Sequence, residues 1–195
     1  MLDDQELTRR DLLFAAAFVP LAALTANAQT GPVALTPGEM KTLEAFIDRL
    51  IPTDELGPGA VESRAQLYID RVLAGPNANE KPQFLEGLEA VNAYAQRIQG
   101  APLADLPAEK RDLVLKAIDE NTAEGLPQGR PFFNRARRLT LEGMFGDPYY
   151  GGNGAFAGWD LIRYPGPRPA VDAAMQRMDA APAPYDHSVW GPQYK

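Results

Sequence analysis

The sequence predicts an all-α fold, a bundle-like body of about five helices followed by an extended, aromatic, Gly/Pro-rich C-terminal region. Three observations predict it. Apolar residues recur at intervals of three and four through most of the chain. Helix start and stop signals punctuate them, and no stretch alternates apolar with polar residues long enough to make a sheet. The composition, 45% hydrophobic and 23% charged, is that of a globular chain and not a disordered one.

The first helix opens at Thr36-Pro37-Gly38-Glu39. Thr36 can cap, Pro37 suits the first helical position and Glu39 can close a capping box. Met40, Leu43, Phe46, Ile47, Leu50 and Ile51 then form one apolar face, and Pro52 stops the run. Pro52 to Gly59 reads as a loop. A second helix is predicted from about Ala60 to Leu73, with Val61, Ala65, Tyr68, Ile69, Val72 and Leu73 inward and Gly75-Pro76 ending it. A third runs from about Pro82 to Ile98 on Phe84, Leu85, Leu88, Val91, Tyr94, Ala95 and Ile98, with Gly100 as its C-terminal cap. The fourth starts at Pro107, buries Leu113, Val114, Ala117 and Ile118, and frays toward Gly125. The fifth spans about Pro131 to Phe145 on Phe132, Phe133, Ala136, Leu139 and Met144.

Residues 1–28 read as an address and not as fold. A charged start containing Arg9 and Arg10, an apolar run from Leu12 to Leu24 and the sequence Ala26-Asn27-Ala28 make a secretory signal of the twin-arginine type, cut after Ala28. The thirteen-residue run spans about 20 Å as a helix, short of a ~30 Å hydrocarbon core, which disfavours a retained anchor. The compartment expected is the periplasm. Residues 29–195 are then a single helical domain, its extended tail beginning at about residue 147.

Charge and residue absences exclude whole classes. A net charge of -7 argues against nucleic acid. No Cys means no disulfide, no thiol nucleophile and no covalently attached haem c, and a single His excludes any site needing two. His187, in Tyr185-Asp186-His187-Ser188, reads as a solvated or hydrogen-bonded tail residue, and the adjacency of Ser188 is no catalytic signal. Asp112, Asp119, Glu120, Glu62, Glu86 and Glu89 have the spacing of solvated helix faces. Arg135, Arg137 and Arg138 read as a spot of surface ion pairs. Gly151-Gly152-Asn153-Gly154 lacks the Lys-Ser/Thr of a phosphate loop and follows no strand, so positive-φ loop geometry is its expected role. No residue is assigned to catalysis, to a cofactor or to a metal.

Beyond Gly146 the composition changes. Both Trp residues, five of the seven Tyr and a succession of prolines fall there. Such a segment packs on something, either its own helices or a partner, since Trp and Tyr are enriched at interface hot spots. Trp159 and at least one of Tyr149, Tyr150 and Tyr164 are expected to be buried. A short helix from Ala170 to Met178 is a further expectation.

Met144-Phe145-Gly146-Asp147-Pro148-Tyr149-Tyr150-Gly151-Gly152-Asn153, followed by Gly158-Trp159-Asp160-Leu161-Ile162-Arg163-Tyr164-Pro165-Gly166-Pro167, resembles the small subunit of gluconate 2-dehydrogenase. Leu43 to Asp54, with its Ile51-Pro52-Thr53-Asp54 turn, is similar to that family's opening helix. Pro58-Gly59-Ala60 and Tyr68-Ile69-Asp70-Arg71 continue in register. The likeness covers roughly Leu35 to Arg168 and leaves out the tail from Pro169. The resemblance implies a non-catalytic subunit that accompanies a flavoprotein dehydrogenase acting on a sugar or sugar acid, and the twin-arginine leader adds the expectation that it supports that partner's stability and export. FAD would belong to that partner and haem c to a cytochrome c subunit, and membrane contact would come only through partners. The implied docking residues are Asp147, Tyr149, Tyr150, Asn153, Trp159 and Tyr164. The competing reading is a free-standing periplasmic protein, a small-ligand binder using the Trp159–Tyr164 loop or a hydrolase.

Overall fold

The computed structural model describes residues 32–168, 170–179 and 183–191. The leader, with Arg9, Arg10, Ala26 and Ala28, lies outside the described residues. The fold is all-α: among the described residues there is no strand, only isolated bridges between Asp54 and Gly57 and between Ser188 and Gly191.

Helix α1 is Pro37–Leu50. Its capping box forms as the sequence requires, with Thr36 Oγ1 accepting the Glu39 N–H at 3.3 Å and Glu39 Oε2 accepting the Thr36 N–H at 2.7 Å. Helix α2 is Ala65–Ala74 and starts later than the predicted Ala60. Arg64 adopts a left-handed conformation, φ 61°, so the turn over residues 60–64 cannot run into the helix. Helix α3 is Lys81–Gln99, closed by Gly100 at φ 83° as a left-handed cap. Helix α4 is Ala108–Asp119. Its inward residues are Val114, Leu115 and Ile118, whereas Leu113, predicted to be buried, is exposed, as is Ile98 at the end of α3. Helix α5 is Gly129–Phe145.

α5 is the hub. It touches α1, α2, α3 and α4, and also α6, the short helix Ala157–Leu161. Phe132 and Phe133 on α5 meet Phe46 of α1 edge-on, with ring centroids 5.4 and 5.7 Å apart, and Phe132 lies 5.3 Å from Phe84 of α3. Edge-to-face packing of this kind suits the ring quadrupoles. Gly143 lets α5 approach α2 closely, since a Cβ there would fall 2.9 Å from Tyr68 Cβ and 3.0 Å from the Ala65 carbonyl oxygen.

The C-terminal region departs from the extended tail predicted from residue 147. Pro148–Tyr150 and Gly154–Phe156 form 3-10 turns, α6 follows, and the whole segment folds against the end of α5. The helix expected from Ala170 to Met178 is absent. The described residues there form turns, with Val171, Met175 and Met178 exposed, so no burial supports a short helix. Among the described residues no helix is long and apolar enough to cross a membrane.

Candidate partner interface

The loop after α5 is built around Asn153, which is fully buried. Its Nδ2 donates to the Gly146 carbonyl at 2.8 Å, and its Oδ1 accepts the Gly158 N–H at 2.8 Å. One side chain therefore ties the end of α5 to the start of α6. Asn153 accepts a left-handed φ of 48° to do so, and Ala155 and Phe156 follow at 52° and 60°.

The glycines of this loop work mainly by absence of bulk. In the Gly151–Gly154 run, Gly151 and Asn153 have a positive φ and Gly152 and Gly154 do not. A Cβ on Gly152 would collide with the Gly143 carbonyl oxygen, and one on Gly158 with the Met144 carbonyl oxygen. The expected positive-φ geometry is found at Gly151 and Asn153, while Gly152 is required by close packing instead. The loop backbone lies directly on the last turn of α5, and a side chain at Gly152 or Gly158 would lift it off.

Trp159 is buried, 6% exposed. Its Nε1–H donates to the Phe145 carbonyl at 2.9 Å, satisfying an orphan carbonyl at the end of α5. Its ring lies 5.3 Å from Phe156 and 4.9 Å, edge-on, from Tyr164. The expectation that one of the loop tyrosines is also buried is not met within this chain. Tyr149, Tyr150 and Tyr164 are 39%, 46% and 40% exposed. Tyr149 packs edge-on against Tyr150 at 5.0 Å and lies 5.1 Å from Trp190.

Asp147 serves two chain segments. Its Oδ1 accepts the Tyr149 N–H and its Oδ2 the Val189 N–H, each at 2.9 Å. The tail is thus drawn back over the loop, helped by the Tyr185 N–H donated to the Pro165 carbonyl at 3.0 Å. His187 stacks on Tyr185 with centroids 4.2 Å apart, and Ser188 Oγ accepts the Trp190 N–H. Nothing in that geometry joins His187 and Ser188 as base and nucleophile.

Of the six docking residues expected, Asp147, Tyr149 and Tyr150 share one corner with Trp190, and Tyr164 lies on Trp159. Asn153 and Trp159 face inward, where they hold the loop. In the basic spot on α5, Arg135 and Arg138 reach Glu80 at 3.4 and 3.8 Å and Arg138 reaches Glu142 at 2.8 Å, whereas Arg137 is exposed and makes no ion pair among the described residues. Asp112 is taken by Arg49 in a bidentate pair, 2.7 and 3.1 Å. Among the described residues no group of three or more His, Cys, Asp or Glu could hold a metal ion.

Sequence reasoning missed two residues. Asp70 is 2% exposed, and its carboxylate accepts the N–H groups of Val33, Ala34 and Leu35 at 2.6 to 2.9 Å. Tyr68 donates to Glu142 Oε2 at 3.0 Å. Burial, followed by that bond, pushes its phenol up to about 12. A carboxylate inside an apolar helical pattern was the available signal for Asp70.

A mainly apolar cleft of about 290 Å³ opens between α3 and α5 beside Gly87, Leu126 and Phe132. Its one cation, Arg135, is engaged by Glu80 and by Gln83. Neither Trp159 nor Tyr164 lines it.

The chain is thus a helical body whose central helix α5 carries an aromatic loop folded back on its end. The profile of the gluconate 2-dehydrogenase subunit 3 family matches residues 37–166, from the first residue of α1 to the glycine that ends the aromatic loop. The chain belongs to the gluconate 2-dehydrogenase subunit 3 family. Neither a curated protein nor a solved structure matches it.

Proposed function

We infer that this chain is the non-catalytic small subunit of a periplasmic, flavin-dependent dehydrogenase of sugars or sugar acids, and that it supports the stability and export of the catalytic subunit. The observation that carries the reading is the family match over residues 37–166, which takes in both the helical body and the aromatic loop. The leader supports export in a folded state, the route on which a chain with no cofactor can escort one that has it.

The donor set supports leaving flavin and haem to the partners. With no Cys the chain cannot attach haem c, and the ring of its one His is stacked on Tyr185. The apolar cleft beside Phe132 offers a dinucleotide no uncommitted cation, because Arg135 already serves Glu80. The flavoprotein is the expected direct partner and a cytochrome c subunit the expected electron outlet.

The test is a pull-down of the tagged mature chain from periplasm, followed by an absorbance spectrum. The expected result is a flavin-bearing partner in the eluate, with the chain itself colourless and inactive on sugars once the partner is removed. A chain that elutes alone, or that stays yellow or red without partners, overturns the reading.

A further inference from the structure

Two glycines of the loop have a role that the tight packing of Gly152 and Gly158 does not explain. A Cβ on Gly154 would fall 2.8 Å from Arg64 Cδ and 3.0 Å from its Nε. A Cβ on Gly151 would fall 2.7 Å from both Cδ and Cζ of Arg71. Each glycine is therefore a seat on which one arginine side chain lies across the loop.

Several cations of the body are committed to partners. Arg49 and Arg111 meet Asp112 and Asp48, Arg135 and Arg138 meet Glu80 and Glu142, and Arg97 covers Tyr94 and donates to the Glu124 carbonyl. Arg64 and Arg71 are exposed, and among the described residues neither makes an ion pair or a side-chain hydrogen bond. The carboxylates of α2 and α5 and that of Asp147 are committed elsewhere, whereas Glu62 and Asp160 are exposed and pair with no cation among the described residues. Glu142 holds Tyr68 and Arg138, Asp147 holds Tyr149 and Val189, and Asp70 holds residues 33–35. Arg130, Arg137 and Arg163 are also exposed without an ion pair among the described residues, but of these five arginines only Arg64 and Arg71 lie against glycines of the loop.

We propose that Arg64 and Arg71, seated on Gly154 and Gly151, are the charged recognition points of this subunit and take two carboxylate side chains of the flavin-bearing partner subunit. The proposal rests on the reading that the chain is such a subunit. Three features favour a protein surface as the occupant. Each arginine has its own seat, and the two positions are about 10 Å apart along α2, a spacing for two carboxylates and not for one small anion. Lying on a glycine holds each side chain, which lowers the ordering cost of docking. Tyr150, next to the Arg71 seat, is 46% exposed, and Arg with Tyr is the composition of interface hot spots. The guanidinium fork suits bidentate carboxylate recognition.

The experiment co-expresses the full chain, tagged, with its flavin-bearing partner, and scores flavin absorbance per tagged chain. Three forms are compared: wild type, Arg64→Glu with Arg71→Glu, and a control of equal charge change at exposed Lys110→Glu with Arg130→Glu. The expected result is flavin retained by wild type and control and lost by the paired arginine variant. Its affinity should fall by at least ~30-fold, the hot-spot scale. Wild-type affinity should fall with added salt, and Arg64→Lys with Arg71→Lys should restore part of it. A melting midpoint for the Glu variant within a few degrees of wild type shows that folding is not the cause. Equal flavin in wild type and the Glu variant overturns the arginine assignment and leaves the subunit reading standing. No flavin with wild type overturns the subunit reading and the assignment with it.

Discussion

Asp70 and Leu35 are joined across half the body: the Asp70 carboxylate, in the middle of α2, accepts the Leu35 N–H at 2.9 Å just before α1 begins. With the bonds to Val33 and Ala34, the three amides form a nest around one buried charge. Asp70→Ala leaves that turn without an acceptor and should cost about 2–4 kcal/mol in denaturant melts. Asp70→Asn, which keeps one acceptor oxygen, should cost less. Equal melting of wild type and Asp70→Ala would show that the nest adds nothing to stability.

Two loop glycines should resist substitution, and one helix glycine should gain from it. Gly152→Ala and Gly158→Ala place a methyl group on backbone carbonyls of α5, which cannot rotate away, and each should destabilise by about 2–3 kcal/mol. Gly38, inside α1, has nothing within 4 Å of a built Cβ. Gly38→Ala should stabilise by roughly 0.5 kcal/mol through helix propensity. Thermal melts of the three single variants give the comparison.

Trp159 is buried by its own chain, so Trp159→Ala should lower the melting temperature of the isolated protein, with a loss of roughly 3–5 kcal/mol. Trp159→Phe keeps most of the ring volume but leaves the Phe145 carbonyl unpaired, and about 1 kcal/mol is the expected cost. Unchanged melting of Trp159→Ala together with lost partner binding would reassign the residue to an interface.

Tyr68 gives the fold an alkaline limit. Its phenol is pushed up to about 12, first by burial and then by the bond to Glu142. The unfolded chain gives up that proton near pH 10 and the folded chain keeps it. The contribution to stability is therefore complete below about pH 10 and is lost as pH rises toward 12. Ultraviolet titration should show one tyrosine ionising late. Tyr68→Phe should remove that late step and flatten the fall in stability over the same window.

The leader is tested by location. Replacing Arg9 and Arg10 with Lys should strand the chain, and any partner, in the cytoplasm if the expected leader is of the twin-arginine type. Cell fractionation with immunodetection checks it, and normal export of the variant would refute the twin-arginine assignment.

The sequence made α1, α3 and α5 legible because their signals are local. A capping box at Thr36, a left-handed glycine at Gly100 and long 3–4 periodic faces each specify structure without reference to the rest of the chain. The start of α2 was not legible, because Val61 and Ala65 keep the helical spacing across Arg64, where the backbone turns left-handed. Leu113 continued an apolar pattern on paper, yet the face that α4 turns inward is set by Val114 and Leu115. In the loop, aromatic and glycine content pointed to the right segment. It could not separate Trp159, whose N–H meets a helix carbonyl, from Tyr150, which remains open. That distinction depends on contacts between segments, as does the grip of Asp70 on residues 33–35.

The position of α5 in the middle of the molecule has a consequence for amide exchange. A helix that touches every other helix among the described residues can lose its hydrogen bonds only when the packing of all of them is lost, so its central amides should exchange at the rate of global unfolding. The strap at residues 183–191 is held by a few hydrogen bonds and ring contacts and should exchange much faster. A map of deuterium uptake would then grade the molecule from a slow centre at Leu139 to a fast margin at Val189. Uptake that slows at residues 147–150 and 183–191 in the presence of a partner would mark the corner that docking covers.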